Sequence, residues 1–177
     1  MRATGIVRRI DELGRVVIPK EIRRTQRIHS GDALEIFTDG KGEVVFKKYS
    51  PLAELGEPAA AYADVLARRL GCGVAVCDRE KIVAAAGAGR SELLGEPLPP
   101  ELDALLARRK LYTAPEEPLH RVALGSRWLL CAAPVLVHGD IEGGVLLPGT
   151  GRDALPEEEA VHAVATAAAF LAKWMEE

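Results

Sequence analysis

A change of charge and of pattern at Ser50-Pro51 divides this sequence into a short basic part and a longer acidic part. Residues 1–50 hold 11 Lys/Arg against 7 Asp/Glu, whereas residues 51–177 hold 12 Lys/Arg against 19 Asp/Glu. This asymmetry predicts two domains, the first of which faces a polyanion. Serine followed by proline is also a typical helix start. We therefore place a first domain at 1–50 and a second at 51–177.

The first domain combines short strands with turns and has few apolar side chains. A domain of about 50 residues buries little core, so it usually needs a metal, a disulfide or a partner chain. The three cysteines and four histidines show neither disulfide nor metal-ligand spacing. Obligate dimerisation through residues 1–50 is the solution that remains. The predicted elements are strands at 4–10, 15–18, 33–37 and 43–48, with a helix from Lys20 to about Arg27.

The second domain predicts an α+β fold with a largely antiparallel sheet. Its two long helices are rich in alanine and apolar over a wide arc, so they are expected to pack closely within the chain or against a neighbouring chain. A second interface between these helices would give a tetramer. The predicted order is a helix from Ser50 to Leu70 that links the domains, two strands around residues 78–80, helices within 90–110, three strands within 121–147, and a helix opening at Pro156.

Several classes of protein are excluded by what the sequence lacks. No apolar run approaches the ~20 residues of a membrane span, and the N-terminus lacks the apolar core of a secretory signal, which favours the cytoplasm. Ser126 and His120 are close in sequence, but no nucleophile elbow, carboxylate pair or metal cluster accompanies them. We expect no enzyme, no metal and no cofactor. Cys72, Cys77 and Cys131 lie in or beside apolar strands, which favours buried structural thiols.

Arginine is concentrated at the N-terminus. Residues 1–27 hold eight basic residues, seven of them Arg, against three acidic residues. The planar guanidinium suits phosphate oxygens and guanine edges better than the point charge of lysine does. The alternative is an ordinary solvated basic face. Because these arginines flank a strand-loop-strand-helix unit, nucleic acid is the favoured partner.

The same segment carries a family resemblance. Residues 4–25 read TGIVRRIDELGRVVIPKEIRRT, and the pattern continues through 31–37 and 47–49. This stretch resembles the DNA-binding domain of the AbrB family of transition-state regulators. The resemblance implies a swapped-hairpin, looped-hinge dimer, in which two chains interleave their strands into one small β-barrel that binds double-stranded DNA. A related branch of this fold serves as antitoxins, but the length of the chain and its second domain argue against that branch.

The resemblance also implies which side chains contact DNA. The residues at matching positions are Arg8, Arg15, Arg23 and Arg24, with Arg9 and Lys20 as weaker candidates. The loop between the two predicted strands contains Asp11, Glu12 and Gly14. The alternative role for Arg15 and Arg24 is an ion pair with Glu12 or Glu21 of another subunit.

The second domain resembles a GAF domain. The residues that carry this resemblance are APV at 133–135 and GDIEGGVL at 139–146. GAF-like domains often bind a small molecule, but the sequence shows no nucleotide-binding pattern and no chromophore-ligating Cys-His pair, so any ligand and its residues stay unknown. The two-domain combination resembles regulators of late, forespore-specific sporulation genes, which places the protein on the nucleoid.

Two other functions remain open at this point. One is a small-molecule-binding allosteric protein whose basic head only dimerises. The other is an antitoxin-like interaction module. A steep salt dependence of DNA binding would favour a DNA-binding regulator over the small-molecule-binding protein. Copurification with a toxin would favour the antitoxin-like module.

Overall fold

The computed structural model describes residues 4–117, 120–151 and 154–176. The chain forms two compact units, Met1–Tyr49 and Ser50–Glu177. In the described part of the chain, no helix has the length and apolar character that crossing a membrane requires.

The first unit contains one helix and one β-hairpin. Asp39 shapes the hairpin turn, because its Oδ1 accepts hydrogen bonds from the backbone N–H groups of Lys41 (3.1 Å) and Glu43 (2.7 Å). Gly42 adopts a positive φ of 86° in the same turn, which glycine tolerates best. The predicted hairpin is thus confirmed. The elements are α1 (Lys20–Thr25), β1 (Leu34–Thr38) and β2 (Val44–Lys48).

The strands predicted at 4–10 and 15–18 are not strands in this structure, as far as its described residues extend. A strand requires a hydrogen-bonded neighbour, and the bonds between these two segments only close the loop that joins them, from Asp11 N–H to the carbonyl of Arg15 (3.0 Å). Most of their apolar side chains are exposed, among them Val7 (83%), Ile10 (71%) and Val17 (71%). Residues 4–10 and 15–18 therefore have the residue pattern of strands, but they form no strand pairing within the described part of this chain.

The second unit follows the predicted order of elements. The short β5 was not predicted, because two residues are too few to show an alternating pattern. The elements are α2 (Pro51–Glu54), α3 (Gly56–Leu70), β3 (Val74–Cys77), β4 (Ile82–Ala86), α4 (Arg90–Leu93), α5 (Pro100–Leu106), β5 (Tyr112–Thr113), β6 (Ala123–Leu124), β7 (Arg127–Val137), β8 (Asp140–Gly149) and α6 (Glu158–Met175).

One antiparallel sheet forms the centre of this unit. Its strand order is β4-β3-β8-β7-β5, and β6 pairs with β7. Alternate residues of each strand serve two cores, as the two-residue period of a strand requires. Val74 and Val76 belong to the core that includes α3 and α6. Ala75 and Cys77 belong to the core that includes the leucines of α4 and α5. The sheet is therefore covered by helices on both faces.

The two long helices differ slightly from their predicted bounds. The predicted Ser50–Leu70 helix is broken at Leu55, which separates α2 from α3. Gly71 ends α3 in the left-handed conformation, with φ of 65°, as a glycine C-cap does. The last helix begins at Glu158 rather than Pro156, because Glu157 is still extended.

The start of the second unit is tied to the turn between β3 and β4. The hydroxyl of Ser50 donates a hydrogen bond to Oδ2 of Asp78 (3.0 Å), while Oδ1 of the buried Asp78 accepts from the backbone of Glu80 (2.7 Å). Leu52 is fully buried on α2. A Cβ atom at Gly143 on β8 would collide with the carbonyl of Cys77 and with the Leu52 side chain. Glycine at 143 therefore lets α2 lie against the sheet.

Candidate nucleic-acid interface

The six predicted DNA-contacting residues are all exposed and all lie in the first unit. They fall into two groups. Arg8, Arg9 and Arg15 lie before and after the loop at residues 11–14, whereas Lys20, Arg23 and Arg24 lie on α1. Arg23 and Arg24 occupy the last turn of α1, where positive charge interacts favourably with the carbonyl end of the helix.

Asp11 organises the loop between the two groups. Its Oδ1 accepts hydrogen bonds from the backbone N–H of Leu13 (3.0 Å) and of Arg15 (2.8 Å). Its Oδ2 accepts from Nε of Arg15 (2.8 Å). The hydrogen bonds from the backbone and side chain of Arg15 lower the pKa of Asp11 below its ordinary value. Gly14 turns the chain with φ of 75°. The loop is therefore closed by its own side chain and backbone.

The C-terminal end of α1 is fixed to the hairpin. Arg27 leaves the helix with a positive φ of 50°, a conformation that costs energy for any residue other than glycine. Nζ of Lys48, on β2, donates a hydrogen bond to the carbonyl of Arg27 (2.6 Å). The backbone N–H of Ile28 bonds to the carbonyl of Arg23 (2.7 Å). Sequence reasoning missed Lys48, because its partner is a backbone carbonyl 21 residues away.

In the structure, Arg15 has a partner that differs from both sequence-based predictions, which were DNA contact and an ion pair between subunits. The alternative to DNA contact was an ion pair with Glu12 or Glu21 of another subunit. Here Arg15 pairs with Asp11 of the same chain. This pair is exposed on both sides, so it contributes little to folding stability.

Ser126 and His120, which are close in sequence, have separate partners in the structure. The hydroxyl of Ser126 donates to Oε2 of Glu92 (2.8 Å), and Nε of Arg127 lies 3.2 Å from the same oxygen. His120 lies instead beside Glu117, with Nδ1 3.2 Å from Oε2. The hydrogen bond from Ser126 and the charge of Arg127 lower the pKa of Glu92. Ser126 and His120 therefore do not form a nucleophile-base pair.

The three thiols are free. Cys77 and Cys131 are buried, and burial raises the pKa values of both thiols, that of Cys131 to about 12. Burial and the charge of Glu157 also raise the pKa of the half-buried Cys72. Thiols with raised pKa values are poor nucleophiles and poor metal ligands. Within the described residues, no group of three or more His, Cys, Asp or Glu side chains is placed to hold a metal ion.

An aromatic cluster lies on the outer surface of α3 and α6. The rings of Tyr62 and Phe170 are stacked with centroids 4.9 Å apart, and Trp174 meets Phe170 edge-on at 5.4 Å. Phe170 and Trp174 are 41% and 44% exposed, and Val65 on α3 is exposed as well. Contiguous exposed apolar side chains of this kind mark interaction surfaces.

Comparison with known proteins decides the family. A model of the stage V sporulation protein T C-terminal, transcription factor family matches residues 54–176. Stage V sporulation protein T of Bacillus subtilis (strain 168) is 42% identical over 188 aligned residues, which cover 100% of both chains. This chain belongs to the stage V sporulation protein T family.

The first unit of this family member matches a second group of proteins. A model of the antidote-toxin recognition MazE, bacterial antitoxin family matches residues 7–53. The transition state regulatory protein AbrB of Bacillus subtilis (strain 168) is 59% identical over 51 residues, which cover 29% of this chain and 52% of AbrB. The predicted AbrB resemblance is confirmed.

The second unit has relatives in fold. A type II free methionine-R-sulfoxide reductase from Thermoplasma acidophilum matches with a TM-score of 0.54 and 14% identity, over 70% of this chain and 94% of that chain. At this identity the likeness concerns the fold alone. The predicted fold class, α+β with an AbrB-like first domain and a GAF-like second domain, is confirmed. The protein is a transcription factor of the stage V sporulation protein T type, with an AbrB-type DNA-binding domain followed by a regulatory domain.

Proposed function

We propose that this transcription factor binds double-stranded DNA as a dimer through residues 1–50 and regulates sporulation genes in the forespore. In this proposal, residues 51–177 sense a signal or assemble the oligomer, and residues 51–70 link the two functions. The protein acts on the nucleoid, in the cytoplasm, and without catalysis. The full-length similarity to stage V sporulation protein T supports the biological setting.

The observation that carries DNA binding is the exposure of every candidate basic residue on one small unit. Arg8, Arg15, Arg23 and Arg24 are proposed as the main contacts, and Arg9 and Lys20 as secondary ones. The loop closed by Asp11 and the anchored end of α1 give these side chains defined starting points. A preorganised set of cations loses less entropy when it meets the phosphate backbone.

Salt titration tests this function. We expect the binding constant for sheared genomic DNA to fall with a log–log slope steeper than about −3, because each neutralised phosphate contributes about −0.9. Fluorescence anisotropy at several salt concentrations gives the slope. A slope shallower than about −1, or no binding, would favour the alternative in which the basic head only dimerises.

Dimerisation is supported by the exposed apolar side chains of the first unit. Val7, Ile10 and Val17 lie in the two unpaired segments, and Ile36 and Val44 are exposed on the hairpin. A unit this small with so many exposed apolar residues is expected to bury them against a second copy. The loss of strand pairing within one chain fits the swapped-hairpin arrangement that the family resemblance implies.

We further propose that the aromatic cluster on α3 and α6 joins two dimers into a tetramer. Aromatic side chains supply much of the binding energy at protein interfaces. The surface that Tyr62 of α3 forms with Phe170 and Trp174 of α6 offers an apolar patch against which a second copy can pack. The same helices are the ones for which the sequence predicted a further interface.

The double substitution Phe170→Ser with Trp174→Ser is expected to weaken the dimer–tetramer equilibrium by about tenfold and to leave the dimer intact, because it removes two aromatic anchors. Sedimentation equilibrium measures both steps. The matched control is Leu111→Ser, which removes another exposed apolar side chain of the second unit. A wild-type protein that stays dimeric at high micromolar concentration would refute the proposed tetramer.

The match of residues 7–53 to an antitoxin family supports one second candidate function, that of a toxin-neutralising module. That match covers the first unit alone, whereas the sporulation protein matches the whole chain. Affinity purification from the native host distinguishes the two. The antitoxin role would be favoured if a toxin copurifies in stoichiometric amount and if DNA binding does not change with salt concentration.

A further inference from the structure

The Asp11–Arg15 pair constrains how Arg15 meets DNA. The pair occupies Nε of the guanidinium, at 2.8 Å from Oδ2 of Asp11. The side chain of Arg15 is 69% exposed and that of Asp11 is 39% exposed. An exposed pair contributes little to stability, so its main physical effect is on orientation. With Nε engaged, the two Nη groups are the donors at the end of the side chain.

The same carboxylate also changes which DNA group suits Arg15. A negative charge beside the guanidinium offsets much of its attraction for a phosphate, because the carboxylate itself is repelled by the phosphate backbone. Directional hydrogen bonds to neutral acceptors are not weakened in this way. The O6 and N7 atoms of guanine are two neutral acceptors in the major groove, and the end of a guanidinium matches them in a bidentate contact.

We propose that Asp11 is a positioning residue that holds Arg15 for bidentate recognition of a guanine, so that Arg15 reads sequence. Arg8, Arg23 and Arg24 show no carboxylate partner among the ion pairs of the described residues, and they contact phosphates. This inference rests on the proposed DNA-binding function of the first unit. It assigns different roles to the arginines of that unit: Arg15 recognises a base, whereas Arg8, Arg23 and Arg24 contact phosphates.

The variant Asp11→Asn tests this role while preserving the loop. An asparagine keeps one carbonyl oxygen, which accepts the backbone N–H groups of Leu13 and Arg15 as Oδ1 does. Its amide nitrogen cannot accept a hydrogen bond from Nε of Arg15. The matched control is Glu12→Gln, which removes the same charge from the neighbouring exposed position in the loop.

The experiment measures discrimination between two DNA duplexes. The first is a sequence selected by the wild-type protein from a random pool, and the second is a scrambled duplex of equal composition. We expect Asp11→Asn to reduce the affinity ratio about fivefold, with equal or tighter binding to the scrambled duplex and a steeper salt slope. We expect Glu12→Gln to strengthen binding to both duplexes and to keep their ratio. Equal ratios in the two variants would overturn the proposal.

Two further measurements connect the effect to Arg15 and to guanine. One guanine of the selected duplex is replaced by 7-deazaguanine, which lacks N7. This replacement is expected to lower the DNA affinity of the wild-type protein and to leave the DNA affinity of the Arg15→Ala variant unchanged. Adding Asp11→Asn to Arg15→Ala is expected to cause no further loss of discrimination. This inference alone is overturned if the wild-type protein binds DNA with a steep salt dependence but no 7-deazaguanine replacement changes its DNA affinity. A wild-type protein that binds no DNA overturns the proposed function as well.

Discussion

Replacing Val17 by Asp is expected to abolish dimerisation through the first unit and to lower DNA affinity at least a hundredfold. Val17 is 71% exposed within one chain, and the proposed dimer buries it among the other apolar side chains of residues 4–18. Burying a carboxylate without a partner costs far more than the transfer of a valine gains. Loss of the dimer also halves the number of phosphate contacts, which is why the loss of affinity is large.

Sedimentation velocity and fluorescence anisotropy measure the two effects of Val17→Asp. The control is Lys41→Ala, which lowers the net charge by one, as Val17→Asp does, at an exposed turn of the same unit. The control should remain dimeric and should lose little affinity. A Val17→Asp protein with wild-type assembly and wild-type DNA affinity would contradict the proposed interface.

Arg15→Ala and Arg23→Ala are each expected to weaken binding to the selected DNA at least tenfold, with folding and oligomeric state unchanged. Each substitution removes one exposed guanidinium per chain, and a dimer loses two. The two variants should differ in kind. Arg23→Ala should weaken binding to all sequences and flatten the salt slope by about one per lost contact, whereas Arg15→Ala should relax the preference at one base.

The control for these variants is Arg108→Ala, because Arg108 is an exposed arginine of the second unit. It should bind DNA as the wild type does. Circular dichroism and sedimentation must accompany the anisotropy measurements. Loss of folding or assembly in Arg15→Ala would favour a structural ion pair over DNA contact. Wild-type affinity in both Arg15→Ala and Arg23→Ala would remove the main support for the proposed interface.

Local signals in the sequence predict an element correctly when the element packs or pairs with residues nearby in the chain. The turn at Asp39–Gly42 predicted β1 and β2, and helical spacing predicted most of α3 and α6. The segments 4–10 and 15–18 had the right residues for strands, but residue type does not reveal which chain supplies the neighbouring strand. Most of their apolar side chains are exposed within the single chain, as the proposed dimer requires.

The candidate site shows a similar limit at the level of side chains. Sequence reasoning placed Asp11, Glu12 and Arg15 in or beside one loop and named Glu12 as a possible ion-pair partner. The structure pairs Arg15 with Asp11 instead. Spacing gives several acids within reach of one arginine, and only the backbone path of the loop decides between them. The Ser50–Asp78 bond was beyond prediction, because its ends are 28 residues apart.

The Ser50–Asp78 bond has a mechanical consequence for a two-domain regulator. The first unit ends at Tyr49, and the very next residue is fastened to the turn between β3 and β4. With Leu52 buried two residues later, the first residues of the second unit are packed against that unit and do not form a flexible linker. A displacement of the β3–β4 turn would therefore reach Ser50, the first residue of the second unit, through this hydrogen bond and not only along α3.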